Sequence, residues 1–274
     1  MRRAVICTLL SALAVTLACS VSPGEERELG VEMAASADSQ LPLVRDTVVL
    51  SFVRELGRSM AAQTSRADLD WQFAVVNTDE VNAFALPGGF VYVTRGVLER
   101  ADRLDEVAGV MAHEIGHIVR RHSVKQIQQS ERRDVGLVLL CTLTHVCGSV
   151  GGVIAVRAGA DAMTAQYSQR DESEADAEAV MITRRANIDP EELGSFLQKI
   201  LAARTAQPTP VDVFFATHPT DESRIDALGR ELRRLPPADR ALTKDTPEFH
   251  QMQDYLRTLP SPPRDTVKES PPAR

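Results

Sequence analysis

Two histidines lie four residues apart in AGVMAHEIGHIVRRH, residues 108–122, with a glutamate directly after the first. On a helix, His113 and His117 project from one face, about 40° apart at ~100° per residue. Two such imidazoles can bind one zinc ion, and Glu114 beside them suits a general base that takes a proton from water. A catalytic zinc needs three protein ligands and an open position, so a third ligand must come from elsewhere.

Residues 167–182, YSQRDESEADAEAVMI, offer three glutamates as the third ligand. On a helix, Glu172 and Asp176 share a face with small alanines, whereas Glu174 and Glu178 share the opposite face, which we expect to be solvated. The small residues allow the first face to approach the histidine helix, which also carries glycines on its ligand side. We therefore predict Glu172 as the third zinc ligand. Asp176, one turn on, is expected to accept the second ring N–H of a ligating histidine and fix its orientation.

The longer motif of the metzincins is excluded, because it requires glycine at position 120 and histidine at position 123, where this chain has Arg120 and Ser123. A purely structural zinc site is disfavoured, since such a site does not need a glutamate beside a ligating histidine. His122 falls on the apolar face of the predicted helix, so we do not expect it to be a ligand. His145 and His250 have no recognisable partners in the sequence.

The elements that must position these residues are mostly helical. Apolar spacing predicts helix over residues 24–63, interrupted near Leu41 and Pro42. Alternation over residues 70–77 predicts a strand, and NAFALPGGFVYVT, residues 82–94, predicts a β-hairpin. Asp102 is predicted to start the H-E-x-x-H helix. The fold class predicted is therefore α+β, predominantly helical, with a small β-sheet.

The first half of the hairpin is a candidate for substrate binding. An exposed edge strand lets an extended peptide add by main-chain hydrogen bonds, with little demand on the peptide's sequence. The alternative is an ordinary hairpin with no binding role. The residues of the predicted edge strand and its turn are Asn82, Ala83, Phe84, Ala85, Pro87, Gly88 and Gly89.

Residues 1–19 have the pattern of an export signal, with two arginines, an apolar run and then small residues. Cleavage before Cys19 would give a lipid-modified N-terminus, cleavage after Ser20 would give a secreted chain, and an uncleaved anchor is the third alternative. The histidine, acidic and hairpin motifs fall within residues 31–235, which we predict to form one domain. Residues 236–274 are polar and proline-rich, and we expect them to be partly disordered. The net charge of −7 without a basic stripe argues against binding nucleic acid.

Residues 135–156 contain no Asp, Glu, Lys or Arg. A buried helical hairpin and contact with a membrane both remain open for this stretch. It also carries Cys141 and Cys147, which either form a disulfide or stay as two buried thiols.

Four motifs in this order, NAFALPGG, AGVMAHEIGHIVRRH, YSQRDESEAD and THPTDESRI, resemble the minigluzincin peptidases. That zinc metallopeptidase family includes HtpX, CAAX prenyl protease type I, Oma-type and BepA-like peptidases, and the exported BepA-like members are the most similar. The chain departs at Ser168-Gln169, where the family usually has Ser-Arg. The resemblance implies the minigluzincin zincin fold, one Zn²⁺ per chain and Glu172 as third ligand. His218 has three candidate roles: a structural histidine at a helix start, an oxyanion donor, or a fourth zinc ligand that acts as a gate by closing the site. The resemblance favours the last two.

The expected function is a zinc metalloendopeptidase of the cell envelope that hydrolyses misfolded or misassembled proteins. Its partners would be those substrates, with the envelope assembly machinery as a further candidate. We expect the protein in the bacterial periplasm, held by lipid on Cys19, with the outer membrane favoured because Ser20 follows. The alternative is a chaperone-like quality-control factor whose peptidase activity is latent or self-inhibited. Residues 221–224 are expected to serve helix-start and packing roles rather than catalysis.

Overall fold

The computed structural model describes residues 21–129, 167–205 and 209–262 of the 274-residue chain. The predicted export signal, including Cys19, lies outside these residues, as do the apolar stretch 135–156 and its two cysteines. Among the described residues, no helix combines the length and the apolar character needed to cross a bilayer.

The described chain is mostly helical, with one small sheet, as predicted. Its first part contains α1 (Pro23–Gln40), α2 (Thr47–Ala61), β1 (Gln72–Val76), β2 (Ala83–Leu86), β3 (Phe90–Thr94), α3 (Arg95–Arg100) and α4 (Leu104–Val119). Its second part contains α5 (Gln169–Arg185), α6 (Glu192–Ala202), α7 (Asp212–Thr217), α8 (Glu222–Arg234) and α9 (Pro247–Thr258). The break between α1 and α2 falls where Leu41 and Pro42 predicted it.

The three strands are ordered β1-β3-β2, with β1 parallel and β2 antiparallel to β3. The predicted hairpin is therefore confirmed, and β2 lies at an edge of the sheet. Its turn depends on Gly88 and Gly89, whose φ angles of 80° and 109° are in the region that side-chain-bearing residues rarely adopt. Phe73 and Val75 point from β1 into the main core, on the alternating face that the sequence indicated.

Helix α4 lies at the centre of the molecule, and all its residues from Leu104 to Ile118 are buried. It packs against α2, α5, α6 and the sheet. A Cβ atom added at Gly116 would lie 2.9 Å from the carbonyl oxygen of Ala175 in α5. The close approach predicted between the histidine helix and the acidic helix is therefore present, and only glycine at this position permits it.

Asp102 was predicted to start α4, but the N-cap residue is Arg103, one position later. The helix begins at Leu104, and the preceding Arg103 makes no side-chain cap. The acceptors come instead from a distant part of the chain: Asp245 Oδ1 accepts from the Leu104 N–H at 3.1 Å, and the Lys244 carbonyl from the Asp105 N–H at 3.0 Å. Local sequence could not reveal an acceptor that far along the chain.

The packed structure continues past residue 235, where the sequence placed the domain's end. Helix α9 buries Phe249 and Leu256 in the main core. The amide of Gln253 donates to the carbonyls of Leu98 and Ala101, both at 2.7 Å. The average composition of residues 236–274 is polar, but this one stretch has apolar residues at helical spacing, so it folds onto α2 and α3.

Candidate metal centre

Four buried side chains from three parts of the chain converge on one point. Helix α4 supplies His113 and His117, α5 supplies Glu172, and His218 follows the end of α7. Each offers a ligand atom, and these atoms all lie within 4.8 Å of one another. The structure thus places Glu172, and not Glu174, against the two histidines.

The ligand atoms of the two histidines are their Nε2 atoms, which lie 2.9 Å apart. Each is 3.4 Å from an oxygen of Glu172. Nδ1 of His218 lies 3.1 Å from Glu172 Oε1 and 3.4 Å from His113 Nε2. Imidazole nitrogens with a carboxylate are the donor set that zinc prefers, so these residues fit one zinc ion.

Glu114 is buried beside this cluster, and neither of its carboxylate oxygens has a hydrogen-bond partner among the described residues. Burial is the largest influence on this group and raises its pKa, against the opposing charges of His218 and His113. Its nearest charged neighbour is His218, whose Nε2 lies 3.4 Å from Glu114 Oε1. A buried carboxylate without a hydrogen bond is costly, so its place in the protein calls for a bound water or substrate.

Burial lowers the pKa of His117 well below its usual value, so this imidazole is neutral, the form that binds metal. Burial opposes ionisation of Glu172, but the charges of His218 and His113 hold its pKa well below the usual range. Burial opposes protonation of His113, but the charges of Glu172 and Asp176 raise its pKa to about 9, so this imidazole must release a proton when a metal binds.

The second ring nitrogen of His113 contacts Asp176, as the helix-face argument expected. Nδ1 of His113 lies 2.9 Å from Asp176 Oδ1. Arg224 donates two hydrogen bonds to Asp176, each of 2.8 Å, and also contacts Glu172. The expectation that residues 221–224 serve only helix start and packing is therefore wrong for Arg224, whose side chain folds back from α8 onto the site. It is right for Asp221, which accepts the Arg224 N–H and caps α8.

The second ring nitrogen of His117 contacts His122, which the sequence placed on the apolar face of a continuous helix. Helix α4 ends at Val119, and Arg121 has a φ of 58°, so the chain turns before His122. His122 Nδ1 lies 3.0 Å from His117 Nδ1. No signal in the sequence marked this turn, and the contact was missed.

On its other side, His122 Nε2 lies 3.4 Å from both Glu174 Oε2 and Asp171 Oδ1. Glu174 also accepts a hydrogen bond from Arg170 at 2.9 Å. Glu174 is therefore on the outer side of α5, as predicted, but it is not a purely solvated residue.

Tyr167 covers His117, with ring centroids 3.8 Å apart and the rings nearly stacked. Its hydroxyl group lies 2.9 Å from Ser123 Oγ. The Ser123 hydroxyl group in turn donates to the Ala85 carbonyl of β2 at 3.3 Å. These contacts connect the metal cluster to the edge strand, and sequence analysis did not anticipate them.

The predicted substrate strand lies next to α4, but it is already partly occupied by the chain's own side chains. Besides the Ser123 bond, the Ala83 N–H donates to Asn82 Oδ1 at 2.9 Å. Phe84 stacks on Tyr92, with centroids 4.6 Å apart. Strand β2 thus lies at the edge of the sheet, but some of its main-chain groups already form hydrogen bonds with side chains of the same protein.

A sequence profile described as Peptidase family M48 matches residues 51–232. The chain is 27% identical over 225 residues to the "Beta-barrel assembly-enhancing protease" of Escherichia coli strain K12. The aligned region covers 79% of this chain and 46% of that protein. It is 28% identical over 227 residues to the "Mitochondrial metalloendopeptidase OMA1" of Schizosaccharomyces pombe, covering 83% and 64%. It is 26% identical over 156 residues to the "Metalloprotease LoiP" of E. coli K12, covering 57% and 60%. The chain spans about half the length of the first of these curated relatives.

Proposed function

Because the chain belongs to Peptidase family M48, we propose that it is a zinc-dependent metalloendopeptidase. Its substrates would be misfolded or misassembled proteins of the cell envelope. The observation that carries the proposal is the buried Glu114 carboxylate, which has no hydrogen-bond partner among the described residues and stands beside a donor set suited to zinc.

When bound, zinc supplies Lewis-acid polarisation of the scissile carbonyl and lowers the pKa of water. Glu114 accepts the proton of the attacking water and returns it to the leaving amine. Burial raises its pKa, which brings the carboxylate closer to the operating pH, where a general base works best. The zinc ion would be held by His113, His117 and Glu172.

We place substrate along β2, where an extended peptide would add by main-chain hydrogen bonds after displacing the side-chain bonds of Asn82 and Ser123 from Ala83 and Ala85. Such binding has little sequence preference, which suits unfolded segments of many proteins. The printed name of one relative, a beta-barrel assembly-enhancing protease, supports a role in the quality control of outer-membrane protein assembly. The assembly machinery of the envelope is a proposed partner.

The proposed location is the periplasm, with a lipid on Cys19 and attachment to the outer membrane. The pattern of residues 1–19 supports it. Mass spectrometry of the mature N-terminus tests it: a diacylated or triacylated Cys19 is expected, and an unmodified chain beginning at Val21 would rule out the lipid.

Digestion of unfolded casein, with and without a chelator, tests the peptidase activity. We expect digestion that stops on chelation and returns with zinc. Glu114→Gln should retain zinc but not hydrolyse casein, because it removes the proton acceptor and not a ligand. If Glu114→Gln digests casein at the wild-type rate, Glu114 is not the base.

A second candidate is a binding factor with latent peptidase activity, and the position of His218 favours it. A catalytic zinc needs an open position, yet Nδ1 of His218 lies 3.1 Å from Glu172 and within the same cluster. His218→Ala should then keep zinc and raise the rate of casein digestion. A lower rate with zinc retained would instead support His218 as an oxyanion donor, and an unchanged rate would exclude both roles.

A further inference from the structure

We propose that His122 is a positioning residue for the metal ligand His117, and that the carboxylates of Glu174 and Asp171 hold His122 in place. The inference rests on the metal site of the proposed function, but not on peptidase activity.

The contacts determine how the protons are arranged. Nε2 of His117 points at His113 and Glu172, so it is the ligand atom and cannot carry a proton when metal is bound. Its proton is then on Nδ1, which faces His122 Nδ1 at 3.0 Å. His117 therefore donates, and His122 accepts.

The tautomer of His122 follows from that of His117. Because Nδ1 of neutral His122 accepts, its proton is on Nε2. That atom lies 3.4 Å from Glu174 and 3.4 Å from Asp171, both of which only accept when ionised. Donation thus runs in one direction, from the ligand through His122 to Glu174, with the Asp171 carboxylate beside the same N–H. This fixes the tautomer and ring orientation of His117, and the carboxylates make the ligand more basic.

Burial argues that His122 does more than fill space. Its side chain is fully buried, and its ring meets that of His117 nearly edge-on, at 74°. A histidine serving only as packing would not need both ring nitrogens directed at polar atoms. Nδ1 of His113 lies 2.9 Å from Asp176 Oδ1, so each histidine ligand has a polar atom beside its second ring nitrogen.

The test is the zinc affinity of the full-length protein, measured by competition with a coloured chelator. His122→Leu fills similar space but cannot accept, and we expect its affinity to fall about 10–100-fold, as is typical when an orienting group is lost. His122→Asn keeps an acceptor near the Nδ1 position and should recover most of the affinity. Equal losses in the two variants would show that packing, not the hydrogen bond, matters, and would overturn the proposal, as would wild-type affinity in His122→Leu.

A second pair of variants serves if His122→Leu does not fold. Glu174→Gln replaces an acceptor that contacts His122, whereas Glu178→Gln changes an acidic residue one turn along the same helix that pairs with Arg120. We expect weaker zinc binding in Glu174→Gln and no change in Glu178→Gln. Equal affinities in these two variants would overturn the role of the outer carboxylate. If wild type binds zinc but digests nothing, the proposed peptidase fails while this inference stands.

Discussion

The two histidine ligands are held in different ways, although they lie one turn apart on the same helix. His113 is held directly by Asp176, whose side chain is 6% exposed and which is fixed by Arg224. His117 is held through His122, and that path ends at Glu174, whose side chain is 26% exposed. One support is short and buried; the other reaches the surface.

This difference indicates that the two supports contribute unequally. A buried, doubly hydrogen-bonded Asp–Arg pair keeps its strength, because little water competes for it, but it is costly to break. In a support that ends near solvent, water and salt screen the charge interactions, so a substitution there has a smaller effect. The site therefore has a rigid side at His113 and a more adaptable side at His117.

Glu172→Ala should have the largest effect and affect both sides of the site, since Glu172 is 3.4 Å from each histidine's Nε2. We expect zinc affinity to fall by more than about 100-fold, the upper end for loss of an orienting residue. Metal content after dialysis and chelator competition measure it, with Glu178→Gln as the control on the same helix. Retention of one tightly bound zinc per chain would contradict Glu172 as a ligand.

Asp176→Asn attacks the rigid side. We expect zinc affinity to fall about 100-fold, and the free energy of unfolding by at most about 3 kcal/mol, because buried Arg224 loses Asp176 but keeps its second carboxylate partner, Glu172. Chelator competition and urea unfolding provide the two values. Asp226→Asn, an exposed change in α8, is the matched control. If Asp176→Asn weakens zinc binding less than Glu174→Gln, our ranking of the two sides is wrong.

Gly116→Ala disturbs both sides at once, because the added Cβ would lie 2.9 Å from the Ala175 carbonyl and push α4 and α5 apart. We expect a loss of about 1–3 kcal/mol in unfolding free energy, together with weaker zinc binding. Gly194→Ala is the control, as its Cβ would lie 3.6 Å from Leu228, an ordinary contact. Wild-type zinc binding in Gly116→Ala would mean that the two helices can separate without loss.

Arg170→Gln tests the adaptable side where it meets solvent. Arg170 is 87% exposed, so its bond to Glu174 is screened, and zinc affinity should change less than about threefold. The measurement is chelator competition at low and high salt. A large loss at low salt that disappears at high salt would show that surface charge does reach the metal through His122.

The rigid side was predictable and the adaptable side was not. Glu172 and Asp176 are one turn apart on a single helix, so periodicity alone placed them together. The contact of His122 with His117 depends on a helix break at Arg121. Arg121 is neither a glycine nor a proline, so its residue type gave no sign of a break. Only tertiary structure fixes that turn.

Arg224 was missed for a different reason. Its position after the Asp221 cap is typical of a helix start, and that local role is real. Sequence spacing says nothing about where a long side chain points once α8 packs on α5. Local patterns therefore recovered the helices, the hairpin and the ligand-bearing face, whereas contacts between distant segments came only from the fold.

The capping of α4 by Asp245 has a consequence for the order of synthesis and folding. The Leu104 N–H and its acceptor are 141 residues apart. A chain still emerging from the ribosome has the H-E-x-x-H motif long before it has residues 244 and 245, and until then the first N–H groups of that helix lack these acceptors. Closing so long a loop is a slow, late step. The helix that carries the metal ligands thus obtains its N-terminal acceptors only after residues 244 and 245 have been made, later than all four residues that could hold the metal.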